Sequence, residues 1–586
     1  MPILMPVTPG NSAAHSSKTP SGLVPLVVAS TGHRDFPAQD RQHLEMSVND
    51  VLDQLNNQSP HSPKWLINGL AEGADRLVAR CALALGWELH AIIPVSFEAF
   101  ENTMSSESAR EEFRDLLSKC SSVTVIELSS NEPDQMFVDV ANTLCTQGQW
   151  LIALWDGKDA LGPGGTGAVV KKFREGLEEG FSDIGPVFHL YTRRSEADNS
   201  SAAVGAQNLL HPRHFSTKPE SGQPSNGAQW NSILSRISDY NRLAQACLQN
   251  NRIRESIEEE RQELGDLPDA DESEIRNLDR LGWLYAVADH LSKKYQNLRK
   301  WVFYWMVFWS MIAIFTEQLY SGPYQDNKWL LIACLIGAVL AISPLALRNN
   351  RDIGISWMES MYLDCRALSE ACRVQYYWRL TGLHDSAADF YLEEQRDELE
   401  WIRQAIRSTD IGVMQIKPRL PEVLDIALEK WIVGQRTFFI GAPTKRNRAK
   451  DNQDTADRHD IAFKTALILV ILFLGSALVL ELAFATFKGK CLPWLQMFWG
   501  FFLAMSAAIK LHQRTFAYSE NARRYTSMGL QVKNVEERLL IEQKNNFEDI
   551  DKCRQLLLSY GKAALEESGY WMILLRDRQV RPPIGS

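Results

Sequence analysis

The sequence predicts a Rossmann-like α/β domain built on a parallel sheet, followed by an all-α membrane domain with four transmembrane helices and long cytosolic helices. Three observations predict it. Apolar strand-like runs alternate with helical patterns between residues 23 and 194, four uncharged apolar stretches follow residue 300, and helix-period apolar stripes surround those stretches. At 586 residues the chain has room for several domains. It divides into a disordered leader at 1–21, the α/β domain at 22–194, a linker at 195–228, a first helical region at 229–440, a second linker at 441–460 and a second helical region at 461–586.

Residues 1–21 are rich in Pro, Ser, Gly and Thr and lack both a basic start and an apolar run, unlike a secretory signal. The strand-like runs are 23–30, 64–69, 88–94, 122–128, 150–155 and 186–191, and three of them end in glycine-containing turns that open a helix. In doubly wound sheets ligands collect at the carboxyl ends of strands, where glycine lets the backbone come close and helix N-termini offer amides to phosphate.

The first turn carries Thr31, Gly32, His33 and Arg34. Arg34 suits a bidentate grip on phosphate or carboxylate, and His33 is a base without a visible partner. The second turn carries Gly69, Glu72, Gly73 and Asp75. Glu72 and Asp75 can hold ribose hydroxyls, or Asp75 can simply favour the helix start. The third carries Asp156 and then Gly164, Gly165, Thr166 and Gly167 before a helix at Ala168, a dense anion cradle. It has neither the Gly-Lys-Ser/Thr ending of a P-loop nor the G-x-G-x-x-G fingerprint. A flexible surface loop is the alternative there, as an ordinary capped turn is at the first.

The apolar stretches 301–316, 329–347, 465–480 and 491–509 form two hairpins, because 321–328 and 487–490 leave space only for tight turns. Lys293, Lys294, Arg299, Lys300, Arg348 and Arg351 flank the first hairpin, and Arg446, Arg448, Lys450, Lys510, Arg514 and Arg523 flank the second. The turns hold only Lys328, Lys488 and Lys490, so the positive-inside rule places both termini in the cytoplasm of a multi-pass protein of the inner, cytoplasmic membrane. Glu317 and Glu481 fall near the outer ends of the first and third spans, where they can ring a cation pathway or simply anchor at the interface.

Helical stripes continue beyond the hairpins, with Leu392, Leu399, Ile402 and Ile406 after the first and Val532, Val535 and Leu539 after the second. They need cover, from one another or from further copies of the chain, and a homo-oligomer is the expectation. The formal charge of -10 and the absence of a basic stripe argue against a nucleic-acid partner. Nine scattered cysteines without a C-x-x-C pair suggest neither a metal site nor a disulfide framework.

Two resemblances follow. The run from Gly69 to Asp75, with Ala82, Leu83 and Gly86 behind it, is similar to DNA-processing protein A, and Pro163, Gly164, Gly165 and Gly167 are similar to the loop of lysine-decarboxylase-like phosphoribohydrolases. Both belong to the Rossmann-like SLOG superfamily, and the resemblance implies a nucleotide or ADP-ribose-like ligand. The hydrolases carry a glutamate one helical turn after the glycines, where this chain has Val169, Val170 and Lys171, so the resemblance implies binding rather than turnover.

The second resemblance covers roughly residues 281–580. Tyr362 to Arg366 after one hairpin stand where Tyr518 to Arg523 stand after the other, and Trp571 precedes Arg576 and Arg578. This organisation resembles two SLATT-type two-helix membrane modules, a family associated with bacterial conflict systems. Together the resemblances imply a membrane sensor and effector in antiphage defence, partnered by the lipid bilayer and a nucleotide-derived small molecule. Melastatin-type channels, which also carry a SLOG-like cytosolic region, are an architectural analogy. A membrane-tethered nucleotide-processing enzyme using His33, Arg34, Glu72 and Asp75 is the alternative.

Overall fold

Runs that are apolar on both faces form buried parallel strands, and five runs do so here, with a sixth parallel strand, Ser122–Ile126, half-buried at the sheet edge. The computed structural model describes residues 22–576 apart from 95–96, 127–128, 130–133, 161, 177–184, 195–202, 212–225, 266–271, 326, 347–353, 391–395, 410, 412–419, 442–446 and 484. The leader expected at 1–21 lies outside the described residues, as do Arg348, Arg351, Leu392, Arg446 and Arg578. The α/β part runs β1 (Leu26–Gly32), α1 (Arg41–Gln58), β2 (Lys64–Asn68), α2 (Ala74–Ala84), β3 (Glu88–Pro94), α3 (Phe97–Asn102), α4 (Glu107–Ser118), β4 (Ser122–Ile126), α5 (Gln135–Gln147), β5 (Trp150–Trp155), α6 (Thr166–Glu175), β6 (Val187–Tyr191) and β7 (Gln207–Leu210).

The seven strands are ordered β4-β3-β2-β1-β5-β6-β7. Val28 of the central β1 faces Leu66 of β2 on one side and Trp150 of β5 on the other, both in parallel register. Only β7 runs antiparallel, pairing Asn208 with His189 of β6. It forms inside the stretch expected to be a linker at 195–228. One face of the sheet packs Val27, Ala29, Ile67 and Leu151 against Leu144 of α5 and Val169 and Phe173 of α6. Burying this cluster stabilises the domain at roughly 25 cal/mol per Å² of apolar surface removed from water.

The helical part contains α7 (Asn226–Gln249), α8 (Asn251–Gln262), α9 (Glu272–Ser321), α10 (Lys328–Ala346), α11 (Ile355–Leu380), α12 (Arg396–Thr409), α13 (Leu420–Ile426), α14 (Gly434–Ile440), α15 (Arg448–Ala483), α16 (Ala485–Phe516), α17 (Tyr518–Lys544) and α18 (Ile550–Arg576). A π-helical stretch, Ala427–Val433, joins α13 to α14. Residues 448–460, expected as linker, are the polar beginning of α15, and 487–490, expected as the second hairpin's turn, belong to α16.

The described residues form two units, and these cut across the order of the sequence. The first takes those of Met1–Gln262, Asp266–Val287 and Ala371–Lys417, so helices on both sides of the first hairpin belong with the sheet. Asn241 of α7 shows how: its Oδ1 accepts from the Val24 amide at 2.8 Å and its Nδ2 donates to the Val24 carbonyl at 2.8 Å. Arg280 of α9 lies 4.5 Å above the Trp65 ring of β2, a cation–π contact. The apolar stripe of α12 is buried as its spacing predicts, at Leu399, Ile402 and Ile406, and covers this unit.

The second unit takes Glu263–Gly265, Ala288–Glu370 and those described in Pro418–Ser586. Trp305 Nε1 of α9 donates to the Leu340 carbonyl of α10 at 3.1 Å, and a β-carbon at Gly337 would stand 3.1 Å from the Ala313 nitrogen. Phe315 meets Phe501 of α16 at 5.5 Å, and Phe473 of α15 stacks on Phe498 at 5.2 Å. Outside the apolar stretches, Tyr362 and Arg366 of α11 pack on Trp571 of α18, and Arg576 donates to Asp364 Oδ1 at 2.9 Å.

Three helical stretches, Leu278–Ser321, Arg448–Leu482 and Cys491–Lys544, are long and apolar enough to cross a membrane, and Lys328–Pro344 is a shorter apolar helix. Trp329, Val339, Ile471 and Leu482 are 67–79% exposed, which in water would be costly and in lipid is not. The chain is a membrane protein with a Rossmann-like α/β unit.

Candidate functional site

The strand order reverses between β1 and β5, so the loops after β1, β2 and β5 open at the switch point where such sheets leave a crevice. The first two corners touch through their backbones. The Ala74 amide donates to the His33 carbonyl at 3.1 Å, and a β-carbon at Gly32 would lie 2.4 Å from Ala74 Cβ. Gly73 holds φ +83°, and only glycine adopts that conformation without strain.

The first and third corners meet through side chains. His33 Nε2 lies 3.1 Å from Asp156 Oδ1 with both side chains buried, and the Asp156 amide donates to the same nitrogen at 3.0 Å. An amide can only donate, so Nε2 accepts and the neutral ring carries its proton on Nδ1. Burial holds the His33 pKa below the usual imidazole range, opposed by the Asp156 charge. Arg194 Nε approaches Asp156 Oδ2 at 3.6 Å, and Asp156 Oδ1 also accepts from the Lys158 amide at 3.1 Å. Thr31 is buried near the end of β1. Arg34 is exposed, with its guanidinium 4.8 Å above the Phe137 ring of α5.

In the second corner the two carboxylates part ways. Glu72 Oε1 accepts from the Ser105 amide at 2.7 Å and from Ser105 Oγ at 3.2 Å, so it holds the loop before α4. Asp75 lies in the first turn of α2, 8% exposed, and accepts from the Ala71 amide. Its Oδ1 is buried and has no hydrogen-bond partner among the described residues. Burial pushes its carboxyl up to about 7, against the opposing effects of the Ala71 bond and the Arg34 and Arg76 charges.

The glycine-rich third corner folds closely on its own protein. A β-carbon at Gly164 would lie 2.5 Å from Phe137 Cβ, at Gly165 3.0 Å from Ala160 Cβ and at Gly167 2.8 Å from the Lys158 carbonyl oxygen. Gly164 and Gly167 are therefore required by packing whether or not a ligand approaches, and Gly165 is tightly packed. Thr166 opens α6, whose first turn holds no acidic residue. Among the described residues no backbone acceptor meets the amides of Thr166 and Gly167.

Three residues outside the sequence expectation complete the site. Asn68 is fully buried at the end of β2, where Nδ2 donates to Ser30 Oγ at 2.5 Å and to the Asp75 carbonyl at 2.9 Å, while Oδ1 accepts from the Leu70 amide at 2.5 Å. A buried polar residue just before a glycine turn is the signal that marks it. Phe137 and Val140 bring α5 into the site, since a β-carbon at Gly69 would lie 3.2 Å from Val140 Cγ1. Glu317 in α9 and Glu481 in α15 are both exposed, and Glu317 Oε2 accepts from Gln318 Nε2 at 2.8 Å. Among the described residues, no group of three or more His, Cys, Asp or Glu is placed to hold a metal.

Fold and site together define a class: a membrane protein whose parallel α/β unit brings three glycine-bearing strand ends to one switch point. No family model matches the chain, and no curated protein matches it significantly.

Proposed function

We propose that the chain is a membrane-embedded sensor and effector: its α/β unit, of SLOG type, binds a nucleotide-derived ligand in the cytoplasm and controls a bundle of SLATT-type helices. The bundle, assembled from several copies, conducts ions or breaches the inner membrane, and bacterial antiphage defence is the setting the resemblances favour. The observation that carries the reading is the meeting of the β1, β2 and β5 corners at the sheet's switch point, where the first amides of α6 have no backbone acceptor among the described residues. Lys328–Pro344 serves as the fourth span in this reading, paired with α9 through Gly337, and both termini stay cytoplasmic. Protein reconstituted in vesicles is expected to pass ions only when a nucleotide is present. Permeability that ignores every nucleotide tested overturns the gating.

One observation favours a second reading, a membrane-tethered nucleotide hydrolase. The His33–Asp156 contact at 3.1 Å sets a buried imidazole beside a carboxylate at the switch point, two groups of the kind that move protons in hydrolysis. Incubation with NAD, AMP and cyclic nucleotides separates the two readings. Release of base or phosphate that disappears in Asp156→Asn supports the hydrolase.

A further inference from the structure

We propose that Asp75 reads hydroxyl groups: its buried carboxyl accepts from the vicinal hydroxyls of a ribonucleotide whose phosphate rests on the amino end of α6. This rests on the nucleotide-binding reading above and assigns each corner its part of the ligand.

The first support is an acceptor without a donor. Asp75 Oδ1 is buried and unpartnered among the described residues, although its residue is only 8% exposed. Leaving such an atom unpaired is unfavourable, and a ligand hydroxyl would relieve it. The carboxyl is also in the right place. Its Oδ2 would lie 3.8 Å from a β-carbon at Gly69, in the corner where the Ala71 amide donates to the same group and the Arg34 charge is felt.

The second support comes from the contrast between two helix ends. The first turn of α2 already holds the Asp75 carboxyl, and that of α6 holds no acidic residue. A phosphate at α2 would face a carboxylate in a desolvated corner, which is repulsive, whereas at α6 it meets the amides of Thr166 and Gly167, which have no backbone acceptor among the described residues. Phosphate and hydroxyls are thereby sorted to different corners.

The third support is that one face of α5 borders both corners. Val140 packs against Gly69 and Phe137 packs against Gly164, and the two side chains are three residues apart on the helix, about one turn. A ribose 5′-phosphate has the same polarity, hydroxyls at one end and phosphate at the other. Burial pushes the Asp75 carboxyl up to about 7, and a neutral hydroxyl suits both of its protonation states.

The test uses the full chain in lipid nanodiscs, titrated calorimetrically with AMP, ADP-ribose, 2′,3′-dideoxy-AMP and inorganic phosphate. Wild type is expected to bind AMP at least about tenfold more tightly than the dideoxy analogue, and Asp75→Ala is expected to bind the two alike. Equal wild-type affinity for AMP and its dideoxy analogue overturns the assignment and leaves nucleotide binding intact. Failure to bind either AMP or ADP-ribose overturns both. The wild-type comparison decides whether or not Asp75→Ala folds.

Discussion

A β-carbon on Gly73 would lie 2.1 Å from the carbonyl oxygen of Arg34, so the first two corners of the site are joined at a position that excludes any side chain. Gly73→Ala is expected to destabilise the α/β unit by roughly 2–3 kcal/mol through this clash and the positive φ. Gly86 has φ +79°, but a β-carbon there would meet nothing within 4 Å, so Gly86→Ala is expected to cost only about 1 kcal/mol. Melting curves of the two variants are the check, and equal losses would refute the clash.

Asp75 sets a pH dependence whose sign follows from its burial. Below 3.8 both folded and unfolded chains carry its proton, and between 3.8 and about 7 the unfolded chain releases it while the folded one keeps it. Stability therefore falls as pH rises through that window, on the order of 4 kcal/mol by the alkaline side. Asp75→Asn is expected to melt above wild type at pH 8 and level with it at pH 4. A difference that does not vary with pH would count against it.

His90 acts in the opposite direction. It is 2% exposed beside Trp65, and burial, with the Arg280 charge added, lowers its pKa from 6.5 to about 3. As pH falls from 6.5 the unfolded chain gains a proton that the folded ring refuses, so stability is lost toward about 3. His90→Gln is expected to flatten that acid limb in melts taken from pH 7 to pH 4, and an unchanged slope would sink the assignment.

Arg299 and Glu359 form a buried pair in the second unit, with side chains 7% and 8% exposed and Nε donating to Oε1 at 2.9 Å. Glu359→Gln leaves a buried cation without its counter-charge and is expected to cost about 3–5 kcal/mol. Replacing both partners by apolar residues of similar volume is expected to recover most of it. Detergent-solubilised melts of the single and double variants test this.

Cys491 is exposed at the apolar start of α16. In the proposed orientation, with two hairpins and cytoplasmic termini, it faces the far side of the membrane. A membrane-impermeant maleimide added to intact spheroplasts is expected to label it, and Cys491→Ser to remove that labelling. Labelling only after lysis would reverse the orientation.

Five of the six parallel strands are legible in the sequence because each is a largely apolar run buried in the sheet, whereas β4, half-buried at the sheet edge, shows through its β-branched residues Val123 to Ile126. β7 is not, since its four residues are mostly exposed on a sheet edge and sit in a polar stretch. The beginning of α15 is hidden for a related reason: residues 448–460 are a polar extension of an apolar helix and carry no stripe of their own. Within the site, the three glycine turns are visible one by one, but their pairing is not. His33 meets Asp156 across 123 residues, and only the adjacency of β1 and β5 reveals it. Likewise the role of Glu72 depends on Ser105, a residue on a different loop with no mark of its own.

Where Gly337 admits the Ala313 backbone, the two helices of the first apolar hairpin close on each other at that level. No file of water molecules fits through so narrow a gap, and a side chain larger than hydrogen at Gly337 would wedge the two helices apart. In the proposed reading, ions would have to pass along other faces of these helices.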